Sequence, residues 1–174
     1  MNHMKDLGAK GEQRERVEKD KALFGGREIA GKTLGVIGLG HIGSATARDA
    51  AALGMDVIGY DPGMTIESAL KLPRETQILG GMKAVFAQAD YISLNIPFIN
   101  KTPDEGGTKG IIGEELLAEM KNDATILNFA RGELVDSAAL KAHFDAGHKG
   151  KYVTDFPEDL LWDHENAIVI PHLG

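Results

Sequence analysis

A chain of 174 residues with 43% hydrophobic and 26% charged side chains has the length and composition of one folded domain, and excludes disordered or collagen-like classes. Its formal net charge of −7 offers no basic footprint for nucleic acid or an anionic membrane surface. With no cysteine, disulfides, thiolate chemistry and cysteine-ligated zinc are all ruled out.

The opening "MNHMKDLGAKG" reads as a possible cloning remnant joined to an internal segment. Residues 12–24, highly charged with few apolar positions, read as an exposed linker helix, so residues 1–24 are set apart from a domain over 25–174. From Thr33 the pattern changes to short apolar runs: "TLGVIG" (33–38), "MDVIGY" (55–60), a weak "TQIL" (76–79), "YISLNI" (91–96), "ATILNF" (124–129), "KYVTDF" (151–156) and "AIVI" (167–170). Between several of them lie helix-like segments, "HIGSATARDAAALG", "GGMKAVFAQA", "GEELLAEMK" and "DSAALKAHFDAG", some closing on glycine or lysine as helix C-termini prefer. Continuous apolar strands alternating with helices predict an α/β fold, a doubly wound parallel sheet of Rossmann type covered on both faces. The one long loop is the polar, glycine-rich stretch 98–110. No run reaches the roughly 20 apolar residues that span a bilayer and the N-terminus is not signal-like, so the cytoplasm is the expected location.

Gly38, Gly40 and Gly43 stand in GxGxxG spacing between an apolar strand and an alanine-rich helix. The first permits a tight turn, the second lets backbone approach a pyrophosphate, and the third lets helix and strand pack closely. The N–H groups of His41 and Ile42 at the helix start then face the phosphates. Asp61 ends the next strand, 18 positions after Gly43, where an acid accepts hydrogen bonds from the adenosine ribose hydroxyls. That favours NAD over a 2′-phosphorylated coenzyme, and the next arginine is only Arg74. The alternatives are a structural glycine turn and a solvated turn aspartate before Pro62-Gly63. The His41 side chain reads as a bystander at the phosphate edge.

Three later segments deliver groups to the same sheet edge. Arg131 follows "ILNFA" and can pair bidentately with a substrate carboxylate; its alternative is a surface salt bridge. Asp155 tips "YVTD", with Glu158 and Asp159 shortly beyond, and "IVIPHLG" brings in His172. Histidine is the natural proton carrier for alcohol–carbonyl interconversion near neutral pH, and a carboxylate would orient it. His143, His148 and His164 have no such setting and read as surface residues.

The ordered motifs "GxGxxG…D", "NFARGELVD" and "PH" resemble the nucleotide-binding domain of the D-isomer-specific 2-hydroxyacid dehydrogenases, from about Phe24 to Gly174. The wording "GKTLGVIGLGHIG", "YVTDFP" and "IPHLG" looks most like members that oxidise 3-phospho-D-glycerate to 3-phosphohydroxypyruvate at the start of serine biosynthesis. The resemblance implies that Arg131 binds the substrate carboxylate and that His172 is the acid/base. It implies that Asp155, Phe129, Ala130, Arg131, His172 and Gly174 hold the nicotinamide end, that "SLNIP" with Asn95 and Pro97 lines the adenosine side, and that Thr108 lies near the cofactor.

One departure stands out. The family's histidine-supporting glutamate falls five residues after the aspartate matching Asp155, where this chain has Leu160; Asp159 is taken as the substitute, with Glu158 the other candidate. The family also has a separate substrate-binding domain, absent from these residues, and forms homodimers largely through the nucleotide-binding domain. The expectation is therefore a domain that binds NAD and is inactive alone. Alternatives are a dehydrogenase of another D-2-hydroxy acid such as lactate or glycerate, or a non-catalytic NAD-sensing interaction module.

Overall fold

Four consecutive residues of the first strand, Leu34 to Ile37, are buried, which requires cover on both sides of the sheet rather than the one-sided alternation of a solvated sheet. The computed structural model, which describes Arg16, Lys19, Asp20 and residues 25–172, supplies that cover. All seven expected strands form: β1 (Thr33–Ile37), β2 (Asp56–Tyr60), β3 (Gln77–Ile78), β4 (Tyr91–Leu94), β5 (Thr125–Asn128), β6 (Tyr152–Thr154) and β7 (Ala167–Val169). They make one sheet in the order β3-β2-β1-β4-β5-β6-β7, every pair parallel. The chain starts at β1, winds outward to β3, then returns to β4 and winds the other way. Neighbouring β1 and β4 therefore lead into connections that leave in opposite directions, which opens a crevice between their C-terminal ends.

The expected helices appear as α1 (His41–Ala52), α3 (Met82–Gln88), α4 (Glu114–Leu117) and α5 (Ser137–Asp145). A further short helix, α2 (Ile66–Leu70), buries none of its residues; with no apolar face directed inward, its sequence lacked the periodic signal. Thr65 caps it by accepting the N–H of Ser68. The linker helix expected over 12–24 lies almost wholly outside the described residues, where Arg16 pairs with Asp20 at 3.0 Å.

One apolar cluster packs α1 on the sheet through Leu34, Val36, Ala47, Ala50 and Val57. The larger one lies on the other face, where Ile37, Ile92, Leu94 and Ile126 meet residues of α3, α4 and α5 such as Phe86, Leu117 and Leu140. Gly35 is the reason α3 sits so close: a Cβ there would lie 2.5 Å from Val85 Cγ1 and 2.9 Å from Ala89 Cβ. No described helix is long and apolar enough to cross a membrane.

Candidate functional site

The glycine loop follows β1 directly, and each glycine meets a different surrounding. Gly38 has φ +89° and a Cβ on it would lie 2.6 Å from the Asn95 carbonyl oxygen, so both its turn and its contact with the β4 loop need glycine. A Cβ on Gly43 would lie 1.8 Å from Gly38 O; here helix and loop backbones touch. Gly40 has nothing within 4 Å of its Cβ position, leaving open space for a group from outside. Gly40 is also the N-cap of the twelve-residue α1, without a side-chain cap or an acidic residue in its first turn. The orphan N–H groups and the positive end of the helix dipole are thus available to an anion. His41 is exposed and Ile42 lies 71% exposed over the crevice.

Asp61 follows β2 and ties two turns together. Its Oδ2 accepts the Leu39 N–H at 2.8 Å and its Oδ1 accepts the Gly63 N–H at 2.8 Å. The turn role weighed from sequence is therefore real, and the same carboxylate stands against the glycine loop. Each oxygen retains a lone pair for a diol.

Between the ends of β1, β4 and β5 lies a hollow of about 790 Å³. Ile42, Asn95, Pro97, Phe129, Ala130 and Arg131 all line it; the "SLNIP" residues and the "FAR" turn share one cavity. Asn95 donates through Nδ2 to Ser93 O and Oγ at 3.2 and 3.0 Å. Thr108 does not reach outward. Its hydroxyl donates to Pro97 O at 2.8 Å and accepts the Ile99 N–H at 2.7 Å, so its proton serves to close loop 98–110.

At the end of β5, buried Asn128 shapes the turn that carries Arg131, accepting the Ala130 N–H at 3.2 Å and donating to Arg131 O at 2.9 Å. The Arg131 side chain is exposed, with Nη1 donating to Ala130 O at 2.6 Å. The chain then turns through Gly132, whose Cβ would lie 3.4 Å from Phe156 Cβ, and the Phe156 ring lies 5.1 Å from the His172 ring. Phe156 thus packs between the turn that follows Arg131 and the His172 ring.

The carboxylate on His172 is Asp155, not Asp159. Nδ1 of His172 lies 3.0 Å from Asp155 Oδ2, with the Asp155 side chain 14% and that of His172 54% exposed. Asp155 is the first residue past β6, and β7 runs parallel beside that strand, so the two tips meet. Asp159 is exposed and makes no contact with His172 among the described residues. Glu158 is not the partner either: it turns inward, 8% exposed, and accepts the Ser137 hydroxyl at 2.6 Å. Burial pushes its carboxyl up from the ordinary value, against the Ser137 donor, with the charges of Asp159 and Glu133 adding to the rise. Leu160, at the position of the family's glutamate, is 55% exposed.

Asp155 Oδ1 is a buried acceptor without a hydrogen-bond partner among the described residues. The open Gly40, the uncapped α1 and the Asp61 carboxylate supply the chemistry a dinucleotide's phosphates and ribose hydroxyls would need. Gly174 lies outside the described residues. Among the described residues no group of three or more His, Cys, Asp or Glu could hold a metal ion.

Sequence reading missed Asn128, although a polar residue inside the apolar run "ATILNF" marks a buried group that must find partners. It also misplaced three histidines, among them His164, whose side chain is 16% exposed and whose ring stacks on Phe144. His148 is 6% exposed with Nε2 2.8 Å from Ala124 O, and His143 packs against it at 4.6 Å between ring centroids.

Over residues 1–174 the chain matches the family described as D-isomer specific 2-hydroxyacid dehydrogenase, NAD binding domain. It is 39% identical over 163 residues to a D-3-phosphoglycerate dehydrogenase of Mycobacterium bovis, covering 88% of this chain and 29% of that protein. A D-3-phosphoglycerate dehydrogenase of Methanocaldococcus jannaschii is 39% identical over 168 residues, covering 91% of this chain and 30% of the relative. Among solved structures, D-lactate dehydrogenase with NAD+ from Lactobacillus jensenii superposes with a TM-score of 0.69 at 32% identity, covering 90% of this chain and 52% of that one. The chain spans less than a third of the length of the two curated relatives.

Proposed function

The chain belongs to the D-isomer specific 2-hydroxyacid dehydrogenases as their NAD-binding domain, and from that premise we propose that it serves the oxidation of 3-phospho-D-glycerate to 3-phosphohydroxypyruvate. The observation that carries a catalytic reading over a purely NAD-sensing one is the His172–Asp155 pair at 3.0 Å, on the sheet edge that also holds the glycine loop and Arg131. NAD supplies, when bound, the acceptor for the hydride leaving the substrate's C2. Arg131 anchors the substrate carboxylate through its planar guanidinium. Asp155 Oδ2 holds Nδ1–H of His172, which leaves Nε2 to take the hydroxyl proton as the C2–O bond becomes a carbonyl. With NAD bound, Asp155 would hold the carboxamide end and Asp61 the adenosine ribose. The facing wall of the cleft comes from a substrate-binding domain of the same parent protein.

Enhancement of NADH fluorescence by the chain, much weaker with NADPH and lost in Asp61→Ala, is the expected binding result. In a protein carrying both walls, 3-phosphoglycerate should reduce NAD faster than D-lactate or D-glycerate. The similarity to a D-lactate dehydrogenase structure makes lactate the competitor to beat, and faster turnover of lactate would replace the substrate while keeping the chemistry. Equal affinity for NADPH would remove Asp61 from its role.

A further inference from the structure

Tyr152 opens β6, the strand whose far end leads to Asp155; its side chain is 0% exposed and takes no part in lining the hollow. Its hydroxyl oxygen accepts from Asn128 Nδ2 at 3.0 Å. The same amide donates its other hydrogen to Arg131 O and accepts the Ala130 N–H. Every donor and acceptor site needed to hold the amide in one orientation is thereby used, and the alternative flip would set Oδ1 against the Arg131 carbonyl. On the β6 side the phenol interacts with Thr154, whose Oγ1 accepts the Phe156 N–H at 3.2 Å. Asn128 and Thr154 are register partners in β5 and β6. Burial raises the Tyr152 phenol from its ordinary value, so it stays a neutral donor and acceptor.

The geometry assigns Tyr152 as a positioning residue: its hydroxyl braces the Asn128 amide, and through it sets the Ala130–Arg131 turn relative to the Asp155–Phe156 turn. A phenylalanine there fills the same space but leaves one N–H of a fully buried amide without a partner. The amide then loses its fixed orientation, and the turn loosens while the sheet persists. That Arg131 meets a substrate carboxylate rests on the dehydrogenase reading above; the bracing of its turn does not.

The test uses the 174-residue chain, isotopically labelled, without ligand. In Tyr152→Phe the Ala130 and Leu134 amides, the latter bonded to Arg131 O, should exchange with solvent about tenfold faster, and the Asn128 side-chain NH2 resonances should shift. Amides of β1, two strands away from β5 in the sheet, should keep their rates. Asn128→Ala, which removes the amide itself, should give the same local pattern and serves if Tyr152→Phe does not fold. Unchanged Ala130 and Leu134 exchange in Tyr152→Phe, or a uniform rise across all strands, would overturn the assignment. A wild-type chain that fails to bind NADH would count against the dehydrogenase reading and leave the exchange result standing on its own.

Discussion

The two edges of the sheet use the same residue types to opposite ends. At the N-terminal edge Asp90 accepts the Thr33 N–H at 2.8 Å and the Lys121 ammonium at 2.9 Å, His148 meets Ala124 O, and Asn166 donates to His148 O and Gly150 O at 3.1 and 2.6 Å. These groups are occupied by the protein itself. At the C-terminal edge Asp155 keeps one oxygen unpartnered, His172 and Arg131 are exposed, and Gly40 faces open space. Polar groups satisfied within the fold hold it together. Polar groups held in place but left incomplete are the ones able to bind and react.

The sharpest break in that comparison is between histidines. In a protein carrying both walls of the cleft, His172→Ala should lower turnover of the 2-hydroxy acid by roughly 10²–10⁴-fold, the usual worth of a positioned proton carrier, while the melting temperature stays near that of wild type because the side chain is exposed; steady-state kinetics beside thermal unfolding would show it. His148→Ala should leave NADH affinity alone and cost stability, about 1–3 kcal/mol for the unpaired carbonyl, read from urea unfolding.

Gly40→Ala should keep the melting temperature, since its Cβ meets no protein atom, while weakening NADH binding by about 1–3 kcal/mol through intrusion on the ligand. Gly43→Ala, with its Cβ 1.8 Å from Gly38 O, should lose both stability and binding. Equal behaviour of the two would remove the distinction between an open and a packed glycine.

Asp90→Ala should cost about 1–3 kcal/mol of stability by stranding the Thr33 N–H, with NADH affinity unaffected. Burial works against the Asp90 charge, but the Thr33 N–H and the Lys121 ammonium outweigh it and hold the carboxyl below its ordinary value. Its stabilisation is therefore present above the unfolded value of 3.8 and is lost as the pH falls through the folded value. The stability gap between wild type and Asp90→Ala, read from urea unfolding, should therefore be full at neutral pH and shrink as the pH falls below 3.8.

The smallest effect belongs to His143. Burial, with the neighbouring His148, holds its imidazole below 6.5, and its Nε2 is buried without a partner. The unfolded chain binds that proton more tightly, so this contribution is complete above pH 6.5 and is lost as the pH falls through the folded value. His143→Gln should flatten the decline in urea midpoint between pH 7 and pH 5.5.

The parallel, doubly wound sheet was legible because continuous apolar runs separated by helices admit few alternatives to it, whereas the strand order and the place of the crevice came with the fold. The glycine loop was legible because its three requirements are backbone requirements, written as residue type at fixed spacing: the turn at Gly38, the open approach at Gly40, the contact at Gly43. The helix α2 was not, since Ile66–Leu70 buries nothing and leaves no periodic trace.

Residue types and spacing were enough to mark the strand segments and the glycine loop, and to put Arg131, Asp155 and His172 just past the ends of their strands. Only the tertiary structure decided their partners. Asp155 rather than Asp159 supports His172 because the parallel register of β6 and β7 brings those two strand tips together, a pairing that proximity along the chain does not encode. Thr108 closes its own loop, and Tyr152 reaches Asn128 from 24 residues away. Hydrogen bonds between side chains depend on distances of a few tenths of an ångström, which the packing of neighbouring strands sets and residue type alone does not.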